Sequence, residues 1–327
     1  METPVVSVIM PVYNAEAYVG KAIESVCNQT FQDWELLLVN DCSTDNSLDI
    51  CKERSLTESR IKVISLEKNS GPAVVRNVGM DNATGKYLSF IDSDDSYKAD
   101  FLQKMVNTAE HYSADVVWCN LDEVSDEGCI VRSHGLPCDR ILEKKGILKT
   151  FFMKTAGLGS MWNKLYLRSA VKSNHLRINE KRVRAEDWEF NLMVFQKADK
   201  VVAIKDSLYS YIRQNSGSVM STYRKQDFNL MCHSQELLSD MAIKYHLDVN
   251  QSKFWGEYLY NVISYLPLMY RNEPQCNEFL REILNNGIFN TALYKGSYKE
   301  LPIYYKALYW SIRLKLRYLT RLLLQLK

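Results

Sequence analysis

The chain contains no C-x-x-C pair, although it carries eight cysteines, at 27, 42, 51, 119, 129, 138, 232 and 276. No histidine stands at zinc-like spacing from a cysteine pair, so no structural zinc is expected, and free thiols in a reducing compartment are. Long apolar runs are missing too: none approaches the roughly 18 residues needed to span a bilayer. Val5–Met10 already reads as a strand, with neither a basic region nor a cleavable apolar segment before it. That predicts a chain that stays on the cytoplasmic side, soluble or peripheral to the membrane. Net charge is close to nil, at +2 from 41 basic and 39 acidic residues. This excludes a protein built as a whole to coat nucleic acid. There is no internal repeat, no long Gly/Ser- or Pro-rich linker, no G-x-G-x-x-G and no G-x-x-x-x-G-K-[ST]. Repeat arrays, the dinucleotide fingerprint and the P-loop are thereby set aside.

What is present is an ordinary globular composition, 46% hydrophobic over 327 residues, long enough for a full α/β domain and a second, smaller unit. Short β-type runs alternate with helical patterns. Val5–Met10 reads as a strand, Tyr18 to Cys27 as an amphipathic helix and Glu35–Val39 as a strand. Ile61–Ser65 and Tyr87–Ile91 are further strands around a helix opened by Pro72 and closed near Gly85, and Asp115–Cys119 follows. That alternation predicts a Rossmann-like, mostly parallel sheet with helices on its faces. From about Leu121 the pattern loosens, and from about Thr222 it is helical without strand signals. The predicted boundary is near 220.

In such sheets ligands gather outside the carboxyl ends of the strands. Three polar clusters occupy those ends: Pro11-Val12-Tyr13-Asn14, Asn40-Asp41-Cys42-Ser43, and Asp92-Ser93-Asp94-Asp95. The last places three carboxylates within four positions, where mutual repulsion requires a cation or dense hydrogen bonding. Asp92 and Asp94 suit Mg²⁺ or Mn²⁺, hard cations that take a few carboxylates and complete their shells with phosphate oxygens and water. The alternative is a solvated turn in which Asp95 or Ser96 caps the next helix. Asp41 is available to a base or ribose, or serves as a turn residue. Arg76, one turn into the helix after Gly71-Pro72, either approaches a diphosphate or holds the acidic loop by a salt bridge.

Six stretches in order carry a resemblance: VSVIMPVYNAEAYVGKAIESVCNQTF, WELLLVNDCSTDNS, NSGPAVVRNVGMDNATGKYLSFIDSDD, WNKLY at Trp162–Tyr166, AEDWEFNL at Ala185–Leu192, and YSYIRQNSGSV at Tyr209–Val219. Over its first 220 or so residues the chain resembles a family 2 glycosyltransferase of the nucleotide-sugar-dependent type, with the glycosyltransferase A fold. The resemblance implies a nucleotide-sugar-binding and catalytic domain over 1–220 and a helical region over 221–327. It implies that Pro11, Tyr13, Asn14 and Asp41 line the base and ribose site. Asp92 would approach the ribose or a metal water, Asp94 would coordinate a divalent cation, Mn or Mg, on the diphosphate, and Asp187 would be the catalytic base. Where this family usually has Asp and Gly, the chain has Asn40 and Cys42. Glu186-Asp187 also reads as the acidic first turn of a helix. Trp162 either stacks on a sugar or fills core, and Asn163, Lys164 and Glu186 are candidates for diphosphate or acceptor contact; for Lys164 an acidic neighbour is the other reading.

The implied reaction is transfer of a sugar from a nucleotide donor, a UDP-sugar by the resemblance, to a glycan or lipid-linked acceptor in capsule, exopolysaccharide or lipopolysaccharide assembly. An acceptor hydroxyl deprotonated by Asp187 on the face opposite the leaving diphosphate inverts the anomeric centre. No motif offers a nucleophile for a covalent intermediate. A sugar-phosphate nucleotidylyltransferase is the enzymatic alternative, but PVYNAEAY stands where its Gly-rich, Arg-containing loop belongs. A non-catalytic binding protein of the same fold is the other. The last segment, Leu301–Lys327, carries six basic residues and no acid, leaving −4 for the remainder. As one helix it would line up Lys306, Arg313, Arg317 and Arg321, and lie on an anionic membrane. Otherwise it packs on the enzyme or a dimer partner.

Overall fold

The computed structural model describes residues 3–125, 128–142, 146–147, 159–182, 185–212, 223–248, 252–273, 277–299 and 301–326. Two compact units divide the chain, Met1–Ser216 and Gly217–Lys327. The C-terminal half of the YSYIRQNSGSV segment and the predicted boundary near 220 lie outside the described residues.

The first unit is built on one sheet with the order β3-β2-β1-β4-β9-β6-β10-β5, with β7 on β6 and β8 on β10. Its first strands are β1 (Val6–Val12), β2 (Trp34–Asn40), β3 (Ile61–Ser65) and β4 (Tyr87–Phe90), all parallel to one another. They alternate with α1 (Val19–Cys27), α2 (Ser47–Thr57) and α3 (Pro72–Asn82). Every residue of β2 is buried, which is why it reads as a continuous apolar run: both faces of a parallel sheet are covered. On β1 the period-2 rule divides the labour. Val6, Val8, Met10 and Val12 join α1 and α4 (Phe101–Tyr112) in one core, whereas Ile9 meets α3. That contact is close enough to require glycine: a Cβ on Gly79 would lie 2.3 Å from Ile9 Cγ2.

Beyond β4 the sheet is mixed. β6 (Val116–Val124) pairs parallel with β10 (Val201–Ile212), but β9 (Lys164–Leu167) inserts antiparallel between β4 and β6. The short strands β5 (Ser96–Tyr97), β7 (Ile130–His134) and β8 (Arg140–Leu142) are antiparallel additions. The insertion has a functional consequence. An antiparallel strand begins at the edge where its parallel neighbours end, so β9 brings Trp162-Asn163-Lys164 to the carboxyl end of β4. Among the described residues of this unit two helices follow, α5 (Arg168–Ser173) and α6 (Glu186–Lys197).

In the second unit the described residues form α7 (Asp227–Lys244), α8 (Ser252–Asn272), α9 (Asn277–Asn285), α10 (Gly287–Lys295), α11 (Ile303–Arg313) and α12 (Arg317–Gln325). Leu259, Val262, Ile263, Leu266 and Met269 of α8 are fully buried at its centre. The tail is therefore two helices, not one. Lys315, at φ 58° in the left-handed region, breaks the chain between them, and Thr320 Oγ1 donates to Ser311 Oγ across the bend. The single basic stripe is broken with it, because Arg313 turns inward to donate to the Leu293 carbonyl. No described helix is long and apolar enough to cross a membrane. The cysteines at 27, 42, 51, 119, 129, 138 and 232 are free thiols.

Candidate active site

The carboxyl ends of β2, β1 and β4 stand side by side, and their loops are tied together by side chains. Asn14 adopts a left-handed backbone, φ 46°, a conformation that asparagine tolerates better than most residues. Its side-chain oxygen accepts from Thr44 N at 2.8 Å, while its own N–H donates to Ser43 Oγ at 3.2 Å. Pro11 is half-buried and Tyr13 is 48% exposed beside it. Asp41 is buried, and its two carboxylate oxygens accept from Ser70 N at 2.7 Å and Gly71 N at 2.9 Å. Each oxygen keeps a second lone pair for another donor. Gly71 is at φ 87°, where its lack of a side chain lets the loop turn into α3.

The two departures from the family pattern now have a structural context. Asn40 is buried, donates to Ser65 Oγ at the end of β3 and accepts from Ser43 N. It thus ties the second loop to the sheet as a neutral side chain. Cys42 lies at φ 57°, a left-handed position that favours glycine.

The acidic loop after β4 is organised by residues of other elements, Arg76 of α3 and Tyr209 and Ile212 of β10. Arg76, almost wholly buried on α3, donates through Nη2 to Asp92 at 2.9 Å and through Nη1 to Glu186 at 2.8 Å. Burial alone would weaken its charge, but Asp92, Glu186 and Asp187 hold the guanidinium firmly protonated. Of the two readings of Arg76, the structure shows the ion pair with the acidic loop. Its buried Nε has no hydrogen-bond partner among the described residues. Asp95 does not cap a helix. Its oxygens accept from Tyr209 Oη at 2.7 Å and from Ile212 N at 2.8 Å, fastening the loop to β10. Burial, then Asp92 and Asp94, push its carboxyl well above the usual range. Tyr209 also stacks on Trp162 at 4.2 Å between ring centroids, and Tyr211 lies 6.0 Å from Trp162 on a nearly parallel plane. Trp162 is therefore half-buried in an aromatic stack.

Glu186 and Asp187 open α6, with Ala185 before them in a left-handed turn at φ 56°. Glu186 is taken up by Arg76. Burial raises the Asp187 carboxyl to about 6, with Glu186 acting in the same direction and Arg76 and the Trp188 N–H against it. A carboxylate held there is a competent base near neutral pH. The helix is locked to β9 by a buried network. Asn191 Nδ2 reaches the carbonyls of Gly159, Ser160 and Asp187 at 2.6, 3.1 and 3.0 Å, and Tyr166 Oη donates to Asn191 Oδ1 at 2.7 Å. Lys164 Nζ donates to the same Ser160 carbonyl and to Asn163 Oδ1, while Asn163 Nδ2 donates to the Cys119 carbonyl. Asn163 and Lys164 have no exposed surface through which to meet a diphosphate or an acceptor. Burial pushes the Lys164 ammonium down to about 7.

Among the described residues no group of three or more His, Cys, Asp or Glu side chains could hold a metal by protein ligands alone. The carboxylates at the end of β4 nonetheless fit a hard divalent cation, which commonly takes one or two of them and leaves the rest of its shell to phosphate and water. Burial, then Asp92, push the Asp94 carboxyl up to about 6; a bound cation would reverse that penalty. Asp92 engages Arg76 through one oxygen; its other oxygen and Asp94 would be the protein ligands of such a cation.

Tyr209, Asn191 and Tyr166 were not singled out in the sequence, although each lies inside a motif. All three are buried polar side chains with partners remote in the chain, Asp95 for Tyr209, Gly159 and Ser160 for Asn191, and Asn191 for Tyr166, so no local spacing reveals them.

Comparison with known proteins agrees with this architecture. The family described as glycosyl transferase family 2 matches residues 7–173. The Bacillus subtilis glycosyltransferase EpsH is 36% identical over 231 residues, covering 70% of this chain and 66% of that one. Glycosyltransferase GlyA of Streptococcus pneumoniae is 35% identical over 220 residues, 64% of this chain and 31% of its own. The match thus spans no more than about two thirds of either relative's length. The crystal structure of Staphylococcus aureus TarS with UDP superposes with a TM-score of 0.69 at 21% identity, over 98% of this chain and 90% of that one; the same protein has also been solved with UDP-GlcNAc. The matched segment contains β1 to β4, the acidic loop and β9, and by it this chain belongs to glycosyl transferase family 2, a family of sugar-transferring enzymes.

Proposed function

We propose that the protein is an inverting, metal-dependent transferase that moves a sugar from a UDP-sugar to a saccharide or lipid-linked acceptor during cell-surface polysaccharide assembly. The observation that carries this reading is the Arg76 bridge, which fastens Asp92 of the acidic loop and Glu186, the neighbour of Asp187, to one guanidinium. Donor-binding loop and candidate base thereby become one rigid unit. Proximity of this kind supplies much of what a displacement at a sugar carbon needs. TarS with UDP and with UDP-GlcNAc supports uridine as the base.

In this reading Pro11, Tyr13, Asn14 and Asp41 receive the base and ribose, and Arg76 acts on the nucleotide through Asp92. Asp94, with Asp92, would hold Mn²⁺ or Mg²⁺; the cation would neutralise the leaving diphosphate as a Lewis acid. Asp187 takes the proton of the acceptor hydroxyl from the face opposite the diphosphate, and the anomeric configuration inverts. Trp162 and Tyr211 offer aromatic surface to a sugar ring, while Asn163 and Lys164 hold the backbone around them. The catalytic domain would end near residue 220 and the helical unit would serve at the inner membrane face, where a lipid-linked acceptor resides.

Sugar transfer and donor hydrolysis measured with Mn²⁺, with Mg²⁺ and with EDTA test the proposal. Activity with either metal and none in EDTA is the expected result. Full activity in EDTA would remove the metal from the mechanism, and pyrophosphate release from a nucleoside triphosphate and sugar phosphate would mark a nucleotidylyltransferase instead.

A further inference from the structure

The end of the second unit shows an apolar and basic surface. From the bend onward, Leu314, Leu316, Tyr318, Leu319, Leu322 and Leu326 are all exposed, Tyr318 at 84% and Leu326 at 70%. Between them stand Lys315, Arg317 and Arg321, also exposed. In α12 Thr320 and Leu324 are buried and Leu323 is half-buried, while Tyr318, Leu319 and Leu322 remain exposed. Single exposed leucines are ordinary, but a contiguous group along one helix marks an interaction site.

Charge decides what kind of partner fits. Leu301–Lys327 contains no acidic residue, so two copies of this face meeting by a two-fold axis would oppose like charges. Anionic lipid headgroups match it instead: arginine and lysine stems lie along the apolar side and carry their charges to the phosphates, while the leucines enter the acyl boundary. The fold also narrows the site. Arg313 is withdrawn, its guanidinium bonded to the Leu293 carbonyl and within 5.2 Å of the Tyr294 ring centroid.

We propose that Leu314–Leu326, the bend together with α12, is an in-plane docking surface for anionic membranes. This deepens the inner-membrane placement proposed above and does not depend on the chemistry at Asp187. Basic groups near an anionic surface each add to binding, so reversing Arg317 and Arg321 should weaken it by more than about tenfold.

Co-sedimentation of the full chain with vesicles of phosphatidylcholine, with and without phosphatidylglycerol, is the test. Wild type should bind the anionic vesicles, bind the neutral ones far less, and lose affinity as salt is raised. Both L319E/L322E and R317E/R321E should lose binding more than tenfold with an unchanged circular dichroism spectrum and unchanged donor hydrolysis. K52E/R54E, which makes the same charge change on exposed positions of α2, should bind as wild type. Equal binding to both vesicle types, no binding by wild type, or binding unaffected by the α12 variants would overturn the proposal. A switch from dimer to monomer in L319E/L322E, without vesicle binding by wild type, would assign the surface to a second copy. Loss of hydrolysis in D187N with vesicle binding intact would separate the two readings.

Discussion

Asp187 is an aspartate whose environment defines it. Buried at the start of α6 beside Glu186, its carboxyl is raised to about 6, against an ordinary value of about 3.9. Because a base must be ionised, and because the shift is upward, activity should disappear at a higher pH than an ordinary aspartate would impose. We expect kcat to be flat above pH 7 and to fall about tenfold per unit below pH 6. Asp187→Asn should retain UDP affinity, measured by calorimetry, and lose transfer by at least about a thousandfold. Transfer surviving in that variant would mean that another group takes the proton. Asp95, adjacent to Asp94 and three positions from Asp92, shows the opposite use of a buried carboxylate: with both oxygens engaged by β10, it shapes the loop and is not open to a ligand.

At the level of elements, two unexpected junctions matter most. The insertion of β9 antiparallel to β4 turns the WNKLY motif around, so that its first residues arrive at the ligand edge. α6 is then bolted to it by Asn191, whose amide serves three carbonyls, and by Lys164, which shares the Ser160 carbonyl with it. Asn191 is in this view a positioning residue for the base. Asn191→Ala should lower kcat about a hundredfold, as a displacement of order 1 Å does, with the KM for the donor nearly unchanged. Equal changes in kcat and KM, or a proportional loss of folded protein by circular dichroism, would reduce its role to ordinary packing. Asn191→Gln, unable to reproduce the register, should not restore activity.

The stability of the whole sheet has its own charged keystone. Glu35, 3% exposed on β2, accepts from Ser7 of β1, Lys62 of β3, and Thr84 just before β4. Burial pushes its carboxyl up, but the bonds from Lys62, Ser7 and Thr84 win and draw it down to about 2. The folded value lies below the unfolded one, so this stabilisation is fully present above about pH 4.5 and is lost as pH falls toward 2. Its size is about 3 kcal/mol. Glu35→Gln should lower the urea midpoint at pH 7 accordingly and leave the two proteins nearly equal at pH 2, by parallel denaturation series. A difference that persists undiminished at pH 2 would locate the loss in packing. Nothing in the sequence separates Glu35 from a surface glutamate at the start of a strand. The alternating strands and helices of the first half were legible because hydrophobic periodicity is a local property, and the polar clusters at their ends were legible because strand ends are where such loops must lie. Motif order was enough to name the family and to nominate Asp94 and Asp187. The acidic loop was one of the two readings of Arg76, but its second partner, Glu186, was not legible, nor were the partners of Asp95, Glu35 and Asn191 or the direction of β9, since each depends on chain segments brought together from dozens of residues away. The tail shows the same division: its sequence determined that it would be basic and amphipathic, but only tertiary packing decided that it bends at Lys315, withdraws Arg313 and leaves Leu319 and Leu322 of α12 facing water.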